Sequence, residues 1–160
     1  MGEYLKSCFF IGHSNAPSKI RDSLAAEVER HITQNSVSHF IVGGYGAFDA
    51  MAARAVKAAK IMHPEITLLL LLPYHPAERP IPTPEGFDGT YYPFERPVPH
   101  RFAIVKANRM MIDTCDYLIA YAAYPGNSRN LLDYARRRFS DKPDSITNLA
   151  LVDTNRGGRY

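Results

Sequence analysis

Several things are scarce or missing in this sequence, and each absence narrows the reading. No stretch is apolar for the ~18 residues that a membrane-spanning helix needs. Met1 to Lys6 shows no signal-peptide pattern, so a cytoplasmic protein without a membrane partner is expected. There are only two cysteines, Cys8 in an expected strand and Cys115 near an expected helix end. They form no metal or redox spacing and read as small buried hydrophobes. The six histidines include no His-x-x-x-His pair and have no carboxylate in ligand register, so no metal is expected. No cofactor is implied either, because G-x-G-x-x-G does not follow the first strand as a dinucleotide fingerprint would. Internal repeats and low-complexity segments are absent.

What is present fits an ordinary globular chain. Hydrophobic residues make up 46% and charged residues 22% of 160 residues, a length suited to one domain spanning 1–152 with a loose tail at 153–160. The net charge is +3, gathered late in Arg136 to Arg138, Arg156 and Arg159. That suits a phosphate-bearing partner and equally suits a solvated helix end.

The chain is organised around His39 to Asp49, H-F-I-V-G-G-Y-G-A-F-D. A short apolar run reads as a buried strand, and Gly43, Gly44 and Gly46 turn it into an alanine-rich helix carrying Phe48, Met51, Ala52, Ala55, Val56 and Ala59 on one stripe. The first N–H groups of a helix have no partner inside it, so such a turn can hold an anion or can simply be a tight turn. Around it, strand and helix alternate. Leu5 to Ile11 leads through Gly12-His13-Ser14-Asn15 and Pro17 into a helix with Leu24, Val28 and Ile32. Ile66 to Leu72 is apolar enough to be covered on both faces. A helix from Arg101 to Cys115 precedes the strand Tyr117 to Tyr121. Pro125-Gly126-Asn127-Ser128 then opens a last helix, with Asn127 or Ser128 as its cap, and Ile146 to Val152 is the final strand. Five alternations predict an α/β, Rossmann-like three-layer sandwich with a mainly parallel five-stranded sheet in the order 3-2-1-4-5. The loops at Gly12, Gly43 and Gly126 would surround one cleft at the point where the strand order reverses.

Residues 73–99 differ in kind. They hold eight of the twelve prolines together with Tyr74, His75, Phe87, Tyr91, Tyr92 and Phe94, without helical or strand period. An ordered flap is expected, either stacking on a ligand's ring or covering hydrophobic core or a dimer surface.

Four motifs in this order resemble the YpsA-like branch of the SLOG superfamily. They are F-F-I-G-H, then V-G-G-Y-G-A-F-D-A-M-A-A, then L-P-Y-H-P-x-E-R-P with G-F-D-G-T-Y-Y-P, and finally A-N-R-M-M-I-D-x-C-D-Y-L-I-A-Y. The resemblance covers nearly the whole chain and implies a Rossmann-like fold related to the LOG phosphoribohydrolases and the DNA-processing protein A family, with a homodimer as the partner state. It also implies a nucleotide or nucleotide-sugar phosphate as ligand. The alternatives are hydrolysis of the N-glycosidic bond of a nucleoside 5'-monophosphate and, less favoured, single-stranded DNA binding.

Residue by residue, Gly43, Gly44 and Gly46 resemble the glycine turn of the DNA-processing proteins, and Asn108-Arg109 matches the last two positions of their R-N-R segment. Arg109 also resembles the arginine that LOG enzymes carry before the fourth strand. Pro125-Gly126 begins the LOG motif P-G-G-x-G-T-x-x-E, which Asn127-Ser128-Arg129-Asn130 then departs from, with Asp133 at the glutamate position. The ligand-binding set is therefore Gly12, His13, Ser14, Gly43, Gly44, Tyr45, Gly46, Asp49, Arg109, Gly126, Asn127 and Ser128, with Asp133 as the candidate catalytic carboxylate. Arg109 either pairs with Asp113 at i,i+4 or grips a phosphate. Asp49 either complements its helix dipole or accepts ribose hydroxyls. His13 is read as a proton donor or phosphate contact.

Overall fold

The structure, a computed structural model, describes residues 5–151. Six strands alternate with four principal helices: β1 (Lys6–Gly12), α1 (Arg21–Asn35), β2 (Val37–Val42), α2 (Ala47–Met62), β3 (Thr67–Leu71), β4 (Gly89–Tyr91), α3 (His100–Thr114), β5 (Tyr117–Tyr121), α4 (Asn127–Arg138) and β6 (Ile146–Asn148). The strands form one sheet in the order β4-β3-β2-β1-β5-β6, and every pairing is parallel. The five expected strands take the expected order, and β4 is a sixth at the edge beside β3.

Alternation along β1 explains the layering. Cys8 and Phe10 point to one face and pack with Leu24 and Val28 of α1 and with Phe48, Met51 and Val56 of α2. Phe9 and Ile11 point to the other, against Ala107, Met111 and Ile112 of α3 and Leu132 and Ala135 of α4. Successive side chains of a strand alternate faces, so a central strand apolar at every position must be covered on both sides. Cys8 and Cys115 are buried within these two layers, as their type suggested. No described helix is long and apolar enough to cross a membrane.

Boundaries shift for local reasons. Pro17 opens a short 3-10 turn over Ser18–Ile20, and α1 starts only at Arg21. α1 ends at Asn35, and the left-handed backbone of Ser36 (φ 58°) releases the chain into β2. The last strand is shorter than the apolar run 146–152 suggested. It stops at Asn148, because Asn148 turns its side-chain oxygen back to accept the N–H groups of Ala122 (3.1 Å) and Ala150 (3.2 Å), and residues 149–151 are helical. The tail expected at 153–160 lies outside the described residues.

Segment 73–99 is not free of strand. Asp88 starts β4 by donating its N–H to Leu68 (2.8 Å), accepting the N–H of Leu68 on its carboxylate (2.8 Å) and pairing with Lys60 of α2. This clasp, together with the Leu72 N–H bond to the Tyr91 carbonyl (2.8 Å), makes a strand where the sequence has no alternating pattern. Phe87 packs on the α1–α2 core and Phe94 on the α3–α4 core. Tyr92 sits edge-on to both His75 and Phe94. Through these two rings the segment covers core.

Hydrogen bonding from Lys60, then from the Leu68 amide, holds the Asp88 carboxyl below its usual range. A depressed carboxyl stabilises the fold above its unfolded pKa and loses that contribution as pH falls through the folded value. Asp88→Ala should cost about 1 kcal/mol at pH 7, the pair being partly solvated. It should also speed proteolytic cutting within 73–99, and the stability difference should shrink toward pH 3 in urea titrations.

Candidate functional site

At the carboxyl ends of the strands, where the order reverses between β1 and its neighbours, lies a cleft of about 490 Å³. It brings together Gly12, His13 and Ser14 after β1, Gly43, Tyr45 and Asp49 after β2, and Asn127 and Ser128 at the start of α4. Gly44, Gly46 and Gly126 belong to the same loops without lining it. Two expected residues lie elsewhere. Ala103, Ala107 and Met111 bury one face of α3 and set its phase, which turns Asn108 into the cleft and leaves Arg109 exposed, its guanidinium 5.1 Å over the ring of Tyr134. Asp113 is taken by Tyr134 Oη (2.7 Å) and Arg138 Nε (2.8 Å). Asp133 is half exposed on the outer side of α4, 3.6 Å from Arg136. Leu131, two positions earlier, faces the cleft instead.

The turn after β1 is fixed from both sides. Ser14 carbonyl accepts the Ala47 N–H at 2.7 Å, docking the turn on the first residue of α2. Gly46 stands at that contact with φ 102°, and a Cβ there would come 2.5 Å from Ser14 Cα, so both the backbone angle and the space demand glycine. On the other side, His13 Nε2 accepts the N–H groups of Ala123 (3.0 Å) and Tyr124 (3.4 Å). Burial, and then the charge of Arg129, lowers the His13 pKa. His13 is thus a neutral ring whose Nε2 carries no proton. That nitrogen ties β1 to the β5 loop, while the ring itself lines the cleft.

The two helices that open on the cleft begin alike and are charged differently. α2 starts after Gly46 and α4 after Gly126, and no side chain caps either. Asn127 and Ser128, expected as caps, fall inside the first turn of α4, because the Gly126 backbone (φ 153°) already occupies the cap position. In α2 the turn closes on itself. The Asp49 carboxylate accepts the Tyr45 N–H at 3.0 Å and lies where a Cβ on Gly43 would be 2.8 Å away, so a side chain there would push the carboxylate aside. Burial pushes the Asp49 carboxyl up to about 6, against the lowering effect of that hydrogen bond. No acid sits in the first turn of α4. Among the described lining residues Asp49 is the only charged one, and no lysine or arginine is among them.

Sequence reasoning missed the cleft's outer wall. Tyr124 lines it, with its ring stacked on His13 (3.7 Å between centroids, 4° apart) and its hydroxyl donated to Asn15 Oδ1. Ile104, Asn108 and Leu131 complete that wall. Their signal was helical phase: Ile104 and Asn108 are one turn apart, and Leu131 follows Asn127 by one turn. Of the flap, Pro73 alone lines the cleft, and Tyr74 is engaged edge-on with His100 and under Arg79.

No family model and no curated protein matches the chain. Among solved structures it is similar to DNA processing protein A from Helicobacter pylori, whose structure was described for its single-stranded DNA binding mode. The TM-score is 0.57, with 15% identity over 88% of this chain and 63% of that one. The chain thus spans less than two thirds of that protein's length. The likeness is one of fold, and it agrees with the Rossmann-like, three-layer architecture expected from the alternation of strand and helix.

Gly46→Ala should destabilise the protein by about 3 kcal/mol in urea unfolding, since strain and a backbone clash act together. Asp49→Asn should do the reverse. A carboxyl whose folded pKa is raised stabilises the fold only while protonated, so the native protein loses stability as pH rises from about 4 through 6. The variant should then be more stable at pH 8 by about 1 kcal/mol, less than the full shift converts to because the carboxyl meets cleft water, and equal to the native protein below pH 4.

Proposed function

We propose that the cleft binds a nucleotide or nucleotide-sugar phosphate, and that the chain is a member of the YpsA-like branch of the SLOG superfamily. The observation that carries this reading is that two helices, α2 and α4, open on one polar and apolar cleft behind glycines, with no side chain capping either. Unpaired N–H groups and the positive end of a helix dipole favour an anion. The two ends are not equivalent. At α2 the Asp49 carboxylate takes a loop N–H and repels a phosphate, whereas the first turn of α4 carries only Asn127, Ser128 and Arg129. The phosphate therefore belongs at Gly126, Asn127 and Ser128, and Asp49, across the cleft, accepts sugar hydroxyls. Gly43, Gly44, Tyr45 and Gly46 shape the sugar side in this arrangement. Arg109 would reach the ligand only by leaving Tyr134.

A second reading, hydrolysis of the N-glycosidic bond, moves from Asp133 to Asp49, the one described carboxylate in the cleft, whose pKa of about 6 suits proton transfer near neutrality. Release of free base, followed by chromatography over AMP, GMP, CMP and UMP, tests it; intact nucleotides after long incubation exclude it. Single-stranded DNA binding is described for the H. pylori protein. In this chain the described cleft lining offers no lysine or arginine to follow a phosphate backbone.

Asn127→Asp places a carboxylate at the first position of α4, where it suits the helix dipole and leaves the fold intact. It should weaken the best of AMP, GMP, CMP, UMP and ADP-ribose at least tenfold in calorimetry. Unchanged affinity would remove the phosphate from this helix end. With Asp49 as the hydroxyl acceptor, native affinity should also fall as pH drops below about 6, and Asp49→Asn should flatten that dependence.

A further inference from the structure

We infer that Tyr124 is the ring platform of the cleft, the surface on which the base of the bound nucleotide stacks; this rests on the function proposed above. The flap was the obvious source of such a surface, but Tyr74 is engaged with His100 and Arg79, Tyr92 with His75 and Phe94, Phe87 and Phe94 with the two cores, and the exposed Tyr91 does not line the cleft. Two tyrosines remain on the lining, Tyr45 and Tyr124, which are 48% and 43% exposed.

They differ in how they are held. Tyr124 is fixed at three points: its ring lies flat against His13, its hydroxyl is donated to Asn15 Oδ1, and its backbone N–H is donated to His13 Nε2. His13 is itself locked, being 6% exposed, edge-on to Tyr121 and bonded to the Ala123 N–H. One face of Tyr124 is thus covered by a rigid neutral ring. No other ring contact to Tyr124 is found among the described residues, and it remains 43% exposed on the cleft wall. An aromatic side chain usually gains by burial, so an exposed one fixed in a single orientation is prepaid in entropy for a planar partner. Tyr45 lacks such backing; no aromatic ring stacks on it among the described residues. Tyr124 also stands three residues before Asn127, which puts a stacked base beside the helix end assigned to the phosphate. Ile104 and Leu131 line the same cleft and supply apolar edges to a ring.

Stacking of a base on an aromatic side chain tolerates any base, so the platform predicts a preference for nucleotides over the same sugar phosphate without a base, and weak discrimination among bases. The test compares AMP, GMP, CMP and UMP with ribose 5-phosphate by calorimetry. Tyr124→Leu should weaken the nucleotides at least tenfold and change ribose 5-phosphate less than twofold, while Tyr124→Phe, which keeps the ring, should stay within threefold of the native protein. The chain has no tryptophan, so Tyr124→Trp gives a single fluorescent reporter. Nucleotide should quench it and ribose 5-phosphate should not, a readout that stands even where Tyr124→Leu fails to fold. Equal weakening of nucleotide and sugar phosphate in Tyr124→Leu, loss on Tyr45→Leu instead, or binding without quenching would each overturn the platform while leaving the phosphate site standing. Binding of neither nucleotides nor ribose 5-phosphate to the native protein would overturn the platform and the proposed function together.

Discussion

The short turn after the central strand is the part on which the rest of the site depends. Its Ser14 carbonyl takes the first amide of α2, and its His13 ring takes two amides of the loop after β5. One four-residue segment thus fixes the starts of two helices that the sequence separates by about eighty residues. Each link satisfies a backbone N–H, and the two to His13 are partly buried, where such a group is costly to leave unmade. The imidazole can serve as acceptor only while neutral, and burial beside Arg129 keeps it so. Without this clamp, the helix ends would have no common register.

That clamp gives the cleft an electrical asymmetry. Both helices present positive ends, but α2 answers its own with Asp49 while α4 does not. The carboxylate is held against a glycine turn in partial burial, which raises its pKa to about 6, so it is not a permanent charge near neutrality. An anion in this cleft is therefore steered by geometry, since the described lining offers no cationic side chain.

The proline-rich segment shows how a region can be rich in aromatic rings and still leave the ligand to others. Its Phe87 and Phe94 pack on the two cores on either side of the sheet. Its charged groups follow the same plan, Asp88 with Lys60 and Glu78 with His100. The ring facing the cleft comes instead from Tyr124, at the end of a core strand, where backing by His13 is available.

Local chemistry made most of the architecture legible. Short apolar runs, period-3.6 apolar stripes, glycine turns and proline stops located four helices and five strands, and strict alternation of strand and helix implied parallel pairing in the observed order. The same patterns placed Gly12, His13, Ser14, Gly43, Asp49, Asn127 and Ser128 around one cleft, because loops at the carboxyl ends of parallel strands must meet there. Other features depended on tertiary contact. β4 exists through the Asp88 clasp, which no alternation announces. Arg109 and Asp133 look inward by motif but turn outward, because Ala107, Met111, Leu132 and Ala135 bury more apolar surface when they set the helix phase. The sequence by itself determined which segments fold and where their ends gather, since those follow from backbone chemistry and local periodicity. Only the tertiary structure decided which side chains face the cleft and in what protonation state, since rotation about a helix axis and burial of a titratable group are settled by packing partners distant in the chain.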